Sequence, residues 1–192
     1  IAITTFFAVI SLAYFNPLLS GKALFQSDIV QFSGMAKQIV DHRESFNEEP
    51  YWLDNAFIGM PTFQVAVKYP FDILDKIDKT LRFLPRPADY LFIYLLSFYI
   101  LLISLKVEKK FAVIGAFAFA FSTYLIVILG VGHNTKALAI GYAPIAIAGV
   151  YNLFEKKYLI GFILATLGFG LQINANHYQM TYYFVMLSGL LA

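Results

Sequence analysis

The chain has 192 residues, 59% of them apolar, 18% aromatic and only 14% charged, with no cysteine and a formal charge of +2. Soluble domains carry about 25% charged residues, so this composition excludes a disordered segment, a nucleic-acid-binding domain and a disulfide-stapled secreted module. A mean hydropathy of +0.68 and apolar runs of membrane-spanning length predict an all-α integral membrane protein, a multispanning helix bundle.

Residues 1–19 read as a first span that closes at Asn16-Pro17. It lacks a basic leader, and Phe15-Asn16-Pro17 is a poor cleavage site, so a span is preferred over a signal peptide. Because the chain opens and closes inside apolar runs, it reads as a fragment of a larger membrane protein. Residues 20–88 hold most of the charged groups and read as one long extracytoplasmic loop. Within it, Ile29, Phe32, Met35, Ala36, Ile39 and Val40 recur at spacings of three and four, which predicts a helix over Asp28–Glu44 with Ser27 as its N-cap. Phe71, Leu74, Ile77, Leu81 and Leu84 predict a second over Phe71–Leu84, with Asp75, Lys76, Lys79 and Arg82 on its other faces. Both are expected to lie along the membrane surface; the alternative is packing on a further outer domain.

Pro85 and Pro87 end the second helix. Pro87 is expected in the first turn of the next span, where Asp89 suits the helix dipole. Residues 89–192 then supply Tyr90–Leu105, Phe111–Val131, Ala137–Phe154, Tyr158–Ile173 and Met180–Ala192, for six spans in all. Pro144 is expected to kink the fourth. Gly115, Gly130, Gly132, Gly141, Gly149, Gly161, Gly168 and Gly170 are expected where spans approach closely. Lys106, Lys109, Lys110, Lys156 and Lys157 occupy two short turns, which the positive-inside rule places in the cytoplasm. The long loop, His133–Lys136 and Asn174–Gln179 then face outward.

The candidate chemistry gathers on that outer side, since the spans carry no charge near their centres. Asp28, at the head of the first amphipathic helix, can act as general base or hold a divalent cation; helix capping is the alternative. Lys136 and His133 can bind a phosphate, with snorkelling as the alternative for the lysine. Asn176, His177 and Gln179 can hydrogen-bond sugar hydroxyls, while the tyrosines beside them suit an interfacial belt. Asp54, in Tyr51–Pro61, is a candidate second acid in a loop expected to fold on its own aromatics. Asp28 with His133 and His177 is an acceptable metal-ligand set. No Gly-rich phosphate loop, His-Glu-x-x-His or Gly-x-Ser-x-Gly is present.

Ser27-Asp28-Ile29-Val30-Gln31, Gly59-Met60-Pro61, Phe83–Tyr90, Phe121-Ser122-Thr123-Tyr124, Gly132–Lys136 and Asn174–Tyr183 together resemble the N-terminal part of bacterial YfhO-like multispanning membrane proteins. That family resembles the GT-C class of membrane glycosyltransferases. The resemblance implies a large outer loop after the first span carrying two interfacial helices, a bacterial inner-membrane location, and a polyprenyl-phosphate-linked sugar as donor. It implies that Asp28 is the first-loop acid, with the second acid supplied by Asp54 or by the rest of the polypeptide C-terminal to this stretch. From the convergence of polar loops on one face, Lys136, with Arg86 and His133, is expected to stabilise the leaving phosphate. The partners expected are the lipid-linked donor and membrane lipid; the rival reading is a non-catalytic component, a lipid-carrier flippase or a scaffold.

Overall fold

The computed structural model describes residues 2–191. It is all-helical apart from one two-residue hairpin, and its contacts divide it into two compact units, Phe25–Asp72 and Ile1–Leu24 with Ile73–Ala192.

The smaller unit is built on a helix of 20 residues over Ser27–Phe46 and on the hairpin Trp52–Leu53 with Met60–Pro61. Ser27 is the first helical residue rather than the N-cap; Gln26 takes that position in an extended conformation, without a side-chain cap bond. The predicted stripe is buried only at its middle, where Ala36 and Ile39 join Leu53 in the core, while Phe32 and Val40 stay exposed. Polar ties close the unit. The Gln38 side-chain carbonyl accepts from the backbone N–H groups of Asp54 and Asn55 at 3.0 and 3.1 Å. Arg43 donates to both carboxylate oxygens of Glu49 at 2.8 and 2.7 Å, and to the Ala66 carbonyl at 3.1 Å. At Gly59 the Trp52 ring lies 2.9 Å from where a Cβ would stand, and φ is +113°, so this turn requires glycine on two counts.

The larger unit comprises eight further helices among the described residues. Named in order for this unit, they are α1 (Ala2–Tyr14), α2 (Ile73–Leu81), α3 (Ala88–Ser104), α4 (Lys109–Ala120), α5 (Thr123–Val131), α6 (Asn134–Phe154), α7 (Tyr158–Asn174) and α8 (Tyr178–Leu191). Helix α3 is the centre. Every residue from Ala88 to Leu95 is buried, as fits a helix apolar on all sides, and it packs against α1, α4 and α6. Pro87 stands at its N-cap, one position earlier than expected. The stripe of α2 covers the unit's own helices: Ile77 and Leu81 join the core cluster, and Leu74 lies beside Gly170 of α7.

The apolar run Phe111–Val131 is not one straight helix. It breaks into α4 and α5 with a bend of 49°, because Ser122 adopts an extended conformation between them. Ser and Thr compete for backbone hydrogen bonds, and the Ser122-Thr123 pair falls at the break. Among the described residues one helix, α6, is long and apolar enough to cross a membrane, or two if the bent pair counts as one span; α1, α3 and α7 are shorter apolar helices. Pro144 lies inside α6 without ending it.

Glycines set the α6–α7 contact. A Cβ on Gly149 would run into the backbone of Ala165, one on Gly168 into that of Ala146, and one on Gly161 would stand 2.7 Å from the Leu153 nitrogen. These pairs fix an antiparallel register in which Gln172 comes opposite Tyr142. Gly130 has nothing within 4 Å of its notional Cβ, so it is no close-packing site; Gly132 ends α5 in the left-handed region at φ +91°.

Candidate functional site

Two polar groupings stand out in the larger unit. The first is a buried ionic network where α2 meets α3. Asp78 follows Leu74 by four residues and precedes Leu81 by three, so the helix carries it inside its own apolar stripe. Arg82, four residues on, donates to Asp78 Oδ2 through Nε at 2.9 Å and through Nη2, and to Asp89 Oδ2 through Nη1 at 3.0 Å. The Tyr142 hydroxyl donates to Asp78 Oδ1 at 2.6 Å. The side chains of Arg82 and Asp78 are 7% exposed and that of Asp89 is 1% exposed. Burial works against the charged form of Arg82, but the bond to Asp78 and the attraction of both carboxylates outweigh it and raise its pKa above the ordinary value.

Arg86 extends from this network. Its Nε lies 4.0 Å from Asp89 Oδ2, and its side chain remains 58% exposed. The guanidinium carbons of Arg82 and Arg86 lie 5.4 and 5.8 Å from the centre of the Tyr90 ring. Asp89 is thus a shared anchor for two arginines as well as a first-turn acid. Arg82 is consumed by its two carboxylates, whereas Arg86 keeps donors directed outward.

The second grouping joins two turns far apart in sequence. Gly132 reverses the chain after α5, and α6 starts at Asn134, which places Lys136 in its first turn. A cation there opposes the helix dipole, and its Nζ lies 5.3 Å over the Tyr124 ring. His177, in the turn between α7 and α8, comes within electrostatic reach of both Lys136 and His133. Its Nδ1 accepts the Met180 N–H at 3.3 Å, which caps α8 and leaves the ring proton on Nε2. Burial, followed by the charges of Lys136 and His133, lowers the His177 pKa below its ordinary value. The imidazole is therefore neutral at pH 7 and presents Nε2–H as a donor.

The larger unit also holds polar capacity that nothing satisfies among the described residues. The Tyr94 hydroxyl is buried without a partner, and so are both side-chain atoms of Gln172. Arg86 lies over the Tyr90 ring and Lys136 over the Tyr124 ring, so each of the two cations is backed by a tyrosine. Each such orphan costs about 1–3 kcal/mol, and a site for water or for a ligand's polar atoms is the usual reason for keeping one.

The other sequence candidates stand as follows. Asn176 occupies the left-handed turn before His177 at φ 58°. Gln179 is exposed and donates to the Tyr183 hydroxyl at 3.3 Å. Asp28, half-buried in the first turn of its helix, and Asp54, exposed and tied to Gln38, belong to the smaller unit. Among the described residues no three His, Asp or Glu side chains gather to hold a metal ion. Sequence reasoning left Asp78, Tyr142 and Tyr94 unremarked and treated Arg82 as a surface residue. The position of Asp78 inside an apolar stripe, with Arg82 four residues later, was the signal available. No family model, curated protein or solved structure matches this chain.

Proposed function

We propose that the chain forms the anion-binding part of a membrane glycosyltransferase of GT-C type, which takes its sugar from a polyprenyl-phosphate-linked donor. The observation that carries this reading is that two separate turns at one end of the helical unit bring His177 within electrostatic reach of Lys136 and His133. Arg86 adds a further cation at the α2–α3 turn. A dipole-opposed lysine beside a neutral imidazole donor suits a phosphate that gains charge as the sugar leaves.

In the reaction the acceptor oxygen bonds to the sugar's anomeric carbon as the bond from that carbon to the phosphate oxygen breaks. The acceptor's proton passes to a carboxylate, and the polyprenyl phosphate leaves with the bonding electrons. Lys136 and Arg86 stabilise that phosphate, and the Nε2–H of His177 is a donor to it or to a sugar hydroxyl. Asp28 is proposed as the carboxylate because of its place at the head of the loop, following the resemblance. The bundle reading is supported by the broad apolar surface of α7 and α8, where Leu159, Phe162, Ile163, Val185, Met186 and Leu190 are exposed.

The test is sugar transfer from a lipid-linked donor by the full-length protein. Lys136→Ala is expected to cost about 10²-fold in kcat/KM, the magnitude typical for loss of one donor to a developing oxyanion. Asp28→Asn is expected to abolish turnover with donor binding retained. Unchanged turnover in Lys136→Ala at normal expression would remove the phosphate site from the mechanism.

A further inference from the structure

At the opposite end of α6 from Lys136, the C-terminal turns of α3 and α6 and the last turns of α8 enclose a cavity of about 450 Å³. Leu101 of α3 and Leu105 at its C-terminal cap, Ile147, Tyr151 and Phe154 of α6, and Ser188 of α8 line it. Its one orphan polar group is the Ser188 hydroxyl, which is 8% exposed and has no hydrogen-bond partner among the described residues. Helix serines ordinarily return their hydroxyl to the preceding turn, as Ser11 does to the Phe7 carbonyl at 2.8 Å. Phe154 leads directly into Glu155-Lys156-Lys157. Glu155 is paired with Lys106 from the α3–α4 turn and also feels Lys157, and Lys156 and Lys157 are exposed, so the turn that follows this lining residue carries more positive than negative charge.

We propose that this cavity holds one acyl chain of an anionic phospholipid, with the phosphate on Lys156 and Lys157 and a polar oxygen of the lipid accepting from Ser188. The inference rests on the membrane reading given above. The chemistry selects the occupant. An irregular stretch of polypeptide would bring a row of backbone donors and acceptors that a single hydroxyl cannot satisfy. A neutral lipid would leave the two lysines unused, whereas basic residues at a membrane surface favour anionic headgroups.

The experiment uses full-length protein reconstituted with phosphatidylglycerol or phosphatidylcholine and read by native mass spectrometry for retained lipid. The wild type is expected to keep one phosphatidylglycerol in preference to phosphatidylcholine by about tenfold or more. Lys156→Gln with Lys157→Gln, two surface changes, is expected to abolish the preference. Ile147→Trp, which fills the cavity, is expected to abolish retention; a photo-crosslinker at Phe154 gives an independent readout if that variant misfolds. Equal retention of both lipids by the wild type overturns the proposal, as does a crosslink to the protein's own chain in place of lipid. Failure of the protein to partition into membranes at all would instead overturn the membrane reading.

Discussion

Arg82 shows how a single side chain can hold a junction that apolar packing alone would leave loose. It joins Asp78 of its own turn to Asp89 of the next helix, and Tyr142 of α6 closes the other side of Asp78. Assembling such a network in a buried place yields little net stability, because desolvation offsets the attraction; removing one member leaves charges buried without compensation. Arg82→Met is therefore expected to destabilise the protein by about 3–5 kcal/mol. Tyr142→Phe is expected to cost less, about 1.5–3 kcal/mol for one bond to a charged group. Thermal unfolding of both variants checks the order. His177 supplies a pH-dependent counterpart. Its folded pKa lies below the ordinary 6.5, so the unfolded chain binds the proton more readily. Stability is thus fully present above about 6.5 and falls as the pH drops through the folded value. Protonation also removes the acceptor that caps α8. The protection factor of the Met180 amide against hydrogen exchange should decline in that window, and His177→Gln should abolish the dependence. The sequence made His177 and Lys136 visible as isolated polar groups in apolar surroundings. It hid the capping role, since which ring nitrogen faces Met180 depends on how the turn is wound.

Among the helices, glycine position separates contact from exposure. Gly149 and Gly168 let the backbones of α6 and α7 touch, and backbone cannot yield as a flexible side chain can. Gly168→Leu is expected to cost at least the 1–3 kcal/mol typical of overpacking, roughly, and to separate the pair. Gly130→Ala enters open space in a helix and should stabilise by about 0.5–1 kcal/mol. Unfolding transitions of opposite sign in the two variants would check this contrast. Charge-free runs predicted where these helices lie to within a few residues, because in an apolar segment the helix satisfies its own backbone. The same logic could not find the break at Ser122, where the run stays apolar while the backbone turns by 49°. Nor could it tell that the stripe of α2 covers neighbouring helices, since a membrane surface and a protein surface ask for the same pattern.

On the scale of the whole chain, the two ends of the helical unit differ in chemistry. Lys106 reaches Glu155, so the two lysine-rich turns meet; at the other end of α6, Lys136, His133 and His177 are gathered. Helix α6 has 21 residues, which at 1.5 Å each separates these ends by roughly 30 Å, the thickness of a hydrocarbon layer. If the bundle crosses a membrane, the lysine-rich turns face the cytoplasm by the positive-inside rule. The 192-residue stretch contains no cysteine, so a thiol introduced at a chosen position is the only one within it and reports that position. A cysteine at Glu48, in the long loop, is expected to react with an impermeant maleimide added to intact cells. One at Lys156 should react only after the membrane is opened. The reverse pattern would place His133, Lys136 and His177 on the cytoplasmic side, where a donor in the outer leaflet could not reach them. Labelling of both positions in intact cells would mean that no bilayer separates the two ends of α6.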